Sequence, residues 1–467
     1  MSSTSPQAVN PYARTADDIR EPPKGFLPSL RFLGPSFVLI GSIVGSGELI
    51  LTTRFGALAG LAGLWFILLC CVAKTIVQAE LGRYTISSGD TCLEAFNRLP
   101  GPRLRAGWFL WLFVLWQIPG LINGGAILGS TGQVLAVAFP GAGLPQHVWG
   151  FILAGINVSL LLYGRYRFVE RASTFMVMSF SAITILGALA LQFTDQAVPW
   201  TDALNGLRIQ LAPIIAPAVL ATAIATFAGT GVGGGELMSY TYWCVEKGYA
   251  RYTGPRTLDA DWERRAKGWV RVMQIDVWLA TAVFTLGTVA FFWLGAGVLH
   301  RGGLVPEDSQ MIVTIRNIYT GSLGAWASAL FLLGGFFVLY STLFCGLAGT
   351  ARIYADILGV FKLVDFADFH NRMKWIRIFT VLVPLVQSLT FAWHGKPQTV
   401  LILTAIAGGL LTPVIAFGTI WLRYRLLDKR IAPGKLSDAA LWVCSGVILV
   451  VSTAGMLIEL VKQIRGA

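Results

Sequence analysis

Charge is scarce in this chain. Asp, Glu, Lys and Arg make up 13% of its 467 residues, against about a quarter in ordinary soluble domains, while 55% are hydrophobic. That shortfall excludes a water-soluble α/β enzyme of this length. Cysteine is sparse too: the six (Cys70, Cys71, Cys92, Cys244, Cys345 and Cys444) fall in no metal-ligand spacing. Most lie in apolar segments, where a buried small hydrophobe is the usual role. The four histidines, His147, His300, His370 and His394, sit near segment ends or in loops, so none is placed for a proton relay at membrane depth. No nucleophile, metal-hydrolase or phosphate-loop motif appears. Neither an enzymatic activity nor a cofactor is expected. Residues 1–30 lack an apolar core, which predicts a solvated tail rather than a cleavable signal peptide.

What the chain has is long apolar runs. Eleven reach membrane-span length, roughly 20 residues each: 34–57, 62–82, 108–136, 147–163, 171–192, 212–243, 270–297, 323–345, 374–392, 399–425 and 438–460. The expected fold is therefore an all-α polytopic membrane protein. The net charge of +12 suggests nucleic acid only until the charges are mapped. With the N-terminus inside, the inside segments hold four, four, three, seven, five and five Lys or Arg, 28 in all, and the outside segments hold six. The basic excess sets topology by the positive-inside rule. The N-terminus is expected in the cytoplasm and the C-terminus outside, and the natural partner is a lipid bilayer, with no nucleic-acid role.

Two copies of one phrase interrupt these runs almost half a chain apart: Gly45-Ser46-Gly47-Glu48-Leu49 and Gly233-Gly234-Gly235-Glu236-Leu237. A carboxylate at membrane depth is costly and reads first as functional. Glycine runs weaken a helix and free backbone groups, which lipid tolerates only around a protein-lined or water-lined cavity. Paired interrupted segments at corresponding places in two halves point to a transporter's substrate site. The phrases fall in the first and sixth spans, so five spans precede a second set of five in inverted topology. The expected organisation is a tail (1–33), a first five-helix repeat (34–195), an inverted second repeat (196–425), and an eleventh helix with a short outside tail (426–467). Non-helical backbone is expected near 45–47 and 231–235.

Each glutamate has two readings. Glu48 and Glu236 together with freed carbonyls make an all-oxygen site for a hard cation; alternatively each caps a half-helix, worth about 0.3–1 kcal/mol. Lys74, about mid-span, reads as a buried counter-ion to one Glu or as a fixed cation that replaces a coupling ion or binds a substrate carboxylate. Thr52, Gln117 and Asn123 read mainly as inter-helix hydrogen-bonding groups, and Thr230 is the better site candidate because it abuts a break. Arg54 is expected at the outer end of its broken span, near headgroups or a vestibule. Asp276, close after a basic cluster, is expected in a salt bridge. Residues 92–107 are expected to be a turn-rich connector.

Several motifs resemble one family. Gly34-Pro35-Ser36-Phe37, the break at 45–48, Ala79-Glu80-Leu81-Gly82 and Ser88-Gly89-Asp90 are similar to the first two spans of the Nramp divalent-metal transporters. Ser341-Thr342-Leu343-Phe344-Cys345-Gly346-Leu347-Ala348-Gly349 resembles that family's signature in the eighth span. The resemblance implies an eleven-span fold and metal transport. Its metal-binding positions differ here: the family's Asp falls at Gly45, its Asn at Glu48, its Met at Gly233, its His at Gly235, its third-span acid at Gln117 and its tenth-span Gln near Leu411.

The expected function is secondary active transport of divalent cations, with magnesium- and manganese-like ions favoured, in a prokaryotic inner membrane and as a monomer. A carrier of amino acids or amines and a non-transporting membrane sensor are the alternatives. The site is expected at Glu48, Glu236, Gly45, Gly233 and Thr230, with Lys74 as a coupling group or counter-ion and Thr52, Gln117 and Asn123 as secondary candidates.

Overall fold

The computed structural model describes residues 10–163, 166–194, 197–305, 312–314, 316, 320, 324–366, 368–394 and 397–465. Arg165 and Lys396, two of the charges counted for topology, lie outside them. Among the described residues, ten helices are long and apolar enough to cross a membrane, or up to 11 when the bent pair Phe26–Phe32 and Pro35–Ile43 counts as one.

The first span is built in two pieces. Helix α1 (Pro35–Ile43) starts with Pro at its first position, where the missing N–H costs nothing. It stops at Val44, and a π-type turn over Gly47–Thr52 leads into α2 (Thr53–Ala59). Helix α3 (Leu64–Ser88) runs back and is closed by Gly89 at φ +80, the left-handed conformation that glycine adopts freely. Then follow α4 (Trp108–Ala138), α5 (Gln146–Tyr163) and α6 (Tyr166–Leu191). The second set starts with another two-piece span, α7 (Pro217–Gly229) and α8 (Gly234–Lys247). It continues with α9 (Ala260–Leu294), capped by the Asp259 carboxylate on Trp262 N at 2.7 Å, and α10 (Ala325–Val360). Helix α11 (Phe369–His394), the pair α12 (Pro397–Gly409) and α13 (Leu411–Arg425), and α14 (Lys435–Arg465) complete it.

Both predicted breaks are present, and each differs from its expected span. The first opens at Val44 and Gly45, with helical backbone resuming at Ser46 and Gly47, and at the second helix resumes at Gly234, so Gly234 and Gly235 are helical. The tenth span carries an interruption the sequence did not announce, between Gly409 and Leu411. The connector 92–107 holds more order than its turn residues suggest. Thr91 and Glu94 form a reciprocal capping box on a short helix, Cys92–Phe96, and a two-residue hairpin pairs Arg103–Leu104 with Ala106–Gly107.

Ion pairs gather where the N-terminal tail lies. Arg352 grips Glu246 with two bonds of 2.5 and 2.9 Å, Arg423 meets Glu80 at 2.9 Å, and Arg372 meets Asp356. The tail straps this face: Tyr12 donates to Glu246 at 2.9 Å and lies 3.8 Å under the Arg372 guanidinium, while Arg14 donates to the carbonyls of Ser87 and Ser88.

Candidate functional site

At the second break, Thr230 is extended and Gly231 turns left-handed at φ +69. A side chain on Gly231 would also press against the Cys70 carbonyl at 3.0 Å, so both conformation and space require glycine there. At the first break, Gly47 lies so close to the Gly229 carbonyl that a Cβ would clash with it. The two breaks therefore meet, as inverted-repeat architecture demands.

The predicted residues separate into two groups. One is sealed in protein. Glu48 is 0% exposed, with Oε2 accepting from Gly45 N at 2.9 Å and Oε1 from Gly231 N at 3.1 Å. It thus caps backbone of both breaks. Lys74, buried alongside, donates to the carbonyls of Phe227 and Thr230 at 2.6 Å each and of Ala228 at 3.4 Å. The expectation that it holds a glutamate gives way to this arrangement, because the half-helix end offers three orphan carbonyls within reach. The Thr52 and Thr230 hydroxyls bond each other at 2.9 Å, the inter-helix role expected for Thr52 and not the substrate contact expected for Thr230. Gly45 packs against the Thr342 side chain behind the cavity.

The other group faces a cavity of about 220 Å³ between α1, α4, α7, α8, α10, α11 and α12. Glu236, Gly233, Gln117 and Asn123 line it. Glu236 stands in the first turn of α8, and a Cβ on Gly233 would lie 2.6 Å from its Oε2. Glycine at 233 is what leaves room for this carboxylate at the helix start. Asn123 accepts from the Thr404 hydroxyl at 2.9 Å, and the Trp116 indole donates to the Gly408 carbonyl at 3.1 Å. Ser42, Ser46, Thr342 and Gln387 add hydroxyls and an amide. The lining continues past Phe113, Ile353 and Tyr354 toward the face that the tail straps.

Trp116, Gln387 and Thr342 were not anticipated. A glutamine directly after the apolar stretch 381–386 was the available signal for Gln387. Among the described residues no group of three or more His, Cys, Asp or Glu is placed to hold a metal. Asp276 makes no salt bridge among the described residues: its two oxygens accept from Gly34 N and Ser36 N at 2.9 and 2.8 Å, capping α1 from α9.

A family model described as natural resistance-associated macrophage protein-like, or Nramp, matches residues 37–458. The chain belongs to the Nramp family. A curated relative, an uncharacterized protein of Pasteurella multocida, is 21% identical over 405 residues, or 82% of this chain and 83% of that protein. The crystal structure of a manganese transporter variant from Eremococcus coleocola superposes with a TM-score of 0.69 at 14% identity, covering 97% of this chain and 92% of that one. MhsT in complex with L-phenylalanine superposes with a TM-score of 0.53 at 15% identity, covering 94% and 99%. At these identities the likeness to solved structures is one of fold. Relative to the Nramp metal-site pattern, Gly45 and Glu48 lie outside the cavity lining, while Gly233, Gly235 and Gln117 lie on it.

Proposed function

We propose that this Nramp-family protein carries divalent metal cations across the membrane by alternating access, taking hard ions such as magnesium or manganese with part of their water shell. The observation that carries the reading is the cavity. A single carboxylate, Glu236, faces about 220 Å³ otherwise lined by amides, hydroxyls, apolar side chains, glycine backbone and one thiol residue, Cys345. One water needs about 10–15 Å³ of such space, so the volume suits a hydrated ion better than a bare ion wrapped in side chains. Magnesium keeps several waters and uses one or two carboxylates. With Gly233 where the family has its thioether, softness counts for little and charge and hydration decide. In this reading Glu236 supplies the charge, Gln117, Asn123 and Gln387 supply polar contacts, and Glu48, Lys74, Gly45, Thr52 and Thr230 frame the breaks. The N-terminus lies in the cytoplasm of a prokaryotic cell and the C-terminus outside, in keeping with the basic bias of the inside segments.

The test is uptake by purified protein in liposomes, comparing magnesium, manganese, calcium and cadmium. Magnesium or manganese is expected to enter, with no advantage for cadmium, and folded Glu236→Gln protein is expected to lose at least about tenfold, equivalent to roughly 1.4 kcal/mol of ion binding. Uptake of no divalent ion by the parent, or full uptake by Glu236→Gln, overturns the reading.

A second reading, a carrier of small amines or amino acids, is favoured by one observation: the Trp116 ring lies against Gly234, Gly235 and Gly408 beside Glu236, an aromatic and acidic pairing suited to an ammonium group. Calorimetry with an amino-acid panel against magnesium and manganese separates the two. Heats from an amino acid and none from the metals would select this second reading.

A further inference from the structure

Glu48 and Lys74 divide between them the two halves of one missing backbone hydrogen bond. In an unbroken helix Gly231 N–H would donate to the Phe227 carbonyl, four residues earlier. Here Gly231 N–H donates to Glu48 Oε1, and the Phe227 carbonyl accepts from Lys74 Nζ. The ammonium also reaches Ala228 and Thr230, so it meets three carbonyls with its three donors. It sits at the negative end of the α7 dipole, 5.3 Å over the Phe227 ring. Its side chain is 1% exposed.

Carbonyls freed at the C-terminal end of a half-helix are where broken-helix transporters bind their coupling sodium ions or protons. A set of carbonyl oxygens at the negative end of a helix, closed to water, selects a small monovalent cation. In this chain that place is filled from within. We infer that the end of α7 is a monovalent-cation site permanently occupied by the tethered ammonium of Lys74, so that the protein works without a bound sodium or potassium ion there. This rests on the transporter reading but not on the identity of the transported species. Lys74 is a positioning residue in this scheme: it holds the break in shape, as a bound ion would, and does not touch the cavity.

The inference is tested by removing the ammonium and offering free ions in its place. Unfolding temperatures of purified protein are measured at one ionic strength in the chlorides of sodium, potassium, ammonium, methylammonium and choline. The parent is expected to show no preference among them, and its liposome uptake none between sodium, potassium and choline. Lys74→Ala is expected to unfold at a lower temperature and to regain at least about 2 °C in one of the small cations relative to choline, with uptake recovering in the same ion. Lys74→Gln, which keeps the packing but not the charge, is the second variant should Lys74→Ala fail to fold. Indifference of the folded variants to small cations overturns the inference, and so does a sodium or potassium requirement of the parent. Failure of the divalent reading would show instead as a parent that binds and transports no divalent ion, an outcome on which the unfolding measurements do not depend.

Discussion

Glu48 and Glu236 follow near-identical phrases at the restarts of two broken spans, yet one is locked in backbone and the other faces a cavity. The difference lies in which amides each can reach. Glu48 takes Gly45 N–H from its own break and Gly231 N–H from the opposite one, the latter presented by the left-handed turn at Gly231. Glu236 keeps to its own break, beside Gly233, and stands in the cavity lining. A repeated motif has thus been divided between holding the fold and facing a cavity. Repetition in sequence marks a shared architecture, and the local geometry of each break decides the work each copy does.

The sharpest way to break this comparison is to truncate each glutamate and read stability beside transport. Glu48→Ala strands two buried amides and should cost about 2–6 kcal/mol at about 1–3 kcal/mol for each, seen as a large fall in unfolding temperature or in the yield of folded protein. Glu236→Gln should leave the unfolding temperature close to the parent's while liposome uptake of magnesium or manganese falls at least about tenfold. A smaller effect is expected of Gly233→Ala. Its backbone, at φ −78 and ψ 177, suits alanine, but the new Cβ pushes the Glu236 carboxylate aside. Ion affinity by calorimetry should drop roughly threefold, less than 1 kcal/mol, with stability unchanged.

The smallest effect sharpens the comparison with a third glutamate at a helix start. Glu94, in the capping box on the tail face, is pushed up to about 7 by burial and then by the neighbouring Asp356 carboxylate. A raised carboxyl favours its protonated form in the fold. Its contribution is therefore fully present below the unfolded value of about 4.3 and is lost as pH rises through about 7. The unfolding temperature of Glu94→Gln should lack the part of the parent's decline between pH 5 and pH 8 that comes from this group.

The fold was legible because its signals are long: apolar runs of span length, a lopsided distribution of Lys and Arg, and glycines massed ahead of Glu48 and Glu236. The kink at Leu410 left no mark, since it follows an ordinary Gly408-Gly409 pair within an apolar run. The site was legible only in part. Composition placed Glu48 and Glu236 at breaks but could not say which amides each would meet, because that depends on φ at Gly231 and on the approach of Gly47 to Gly229. Lys74 was visible as an anomaly, but its partners are backbone carbonyls, which every residue carries and no sequence pattern distinguishes. Gln117 and Asn123 were read as inter-helix ties, and Asn123 is one, through Thr404, while also facing the cavity.

Helix α1 is fastened at both ends by carboxylates rather than by neighbouring turns. Asp276 of α9 holds its first amides and Glu48 holds Gly45 just past its last turn. A rod pinned in this way pivots about its fastenings more readily than it slides. A swing of α1 that opened the cavity would either draw Asp276 and α9 along or leave a buried acid without its donors, costing several kcal/mol. The hinge for such a swing is then the unwound stretch at Val44 and Gly45, and the moving body is a two-helix lever rather than one half-helix.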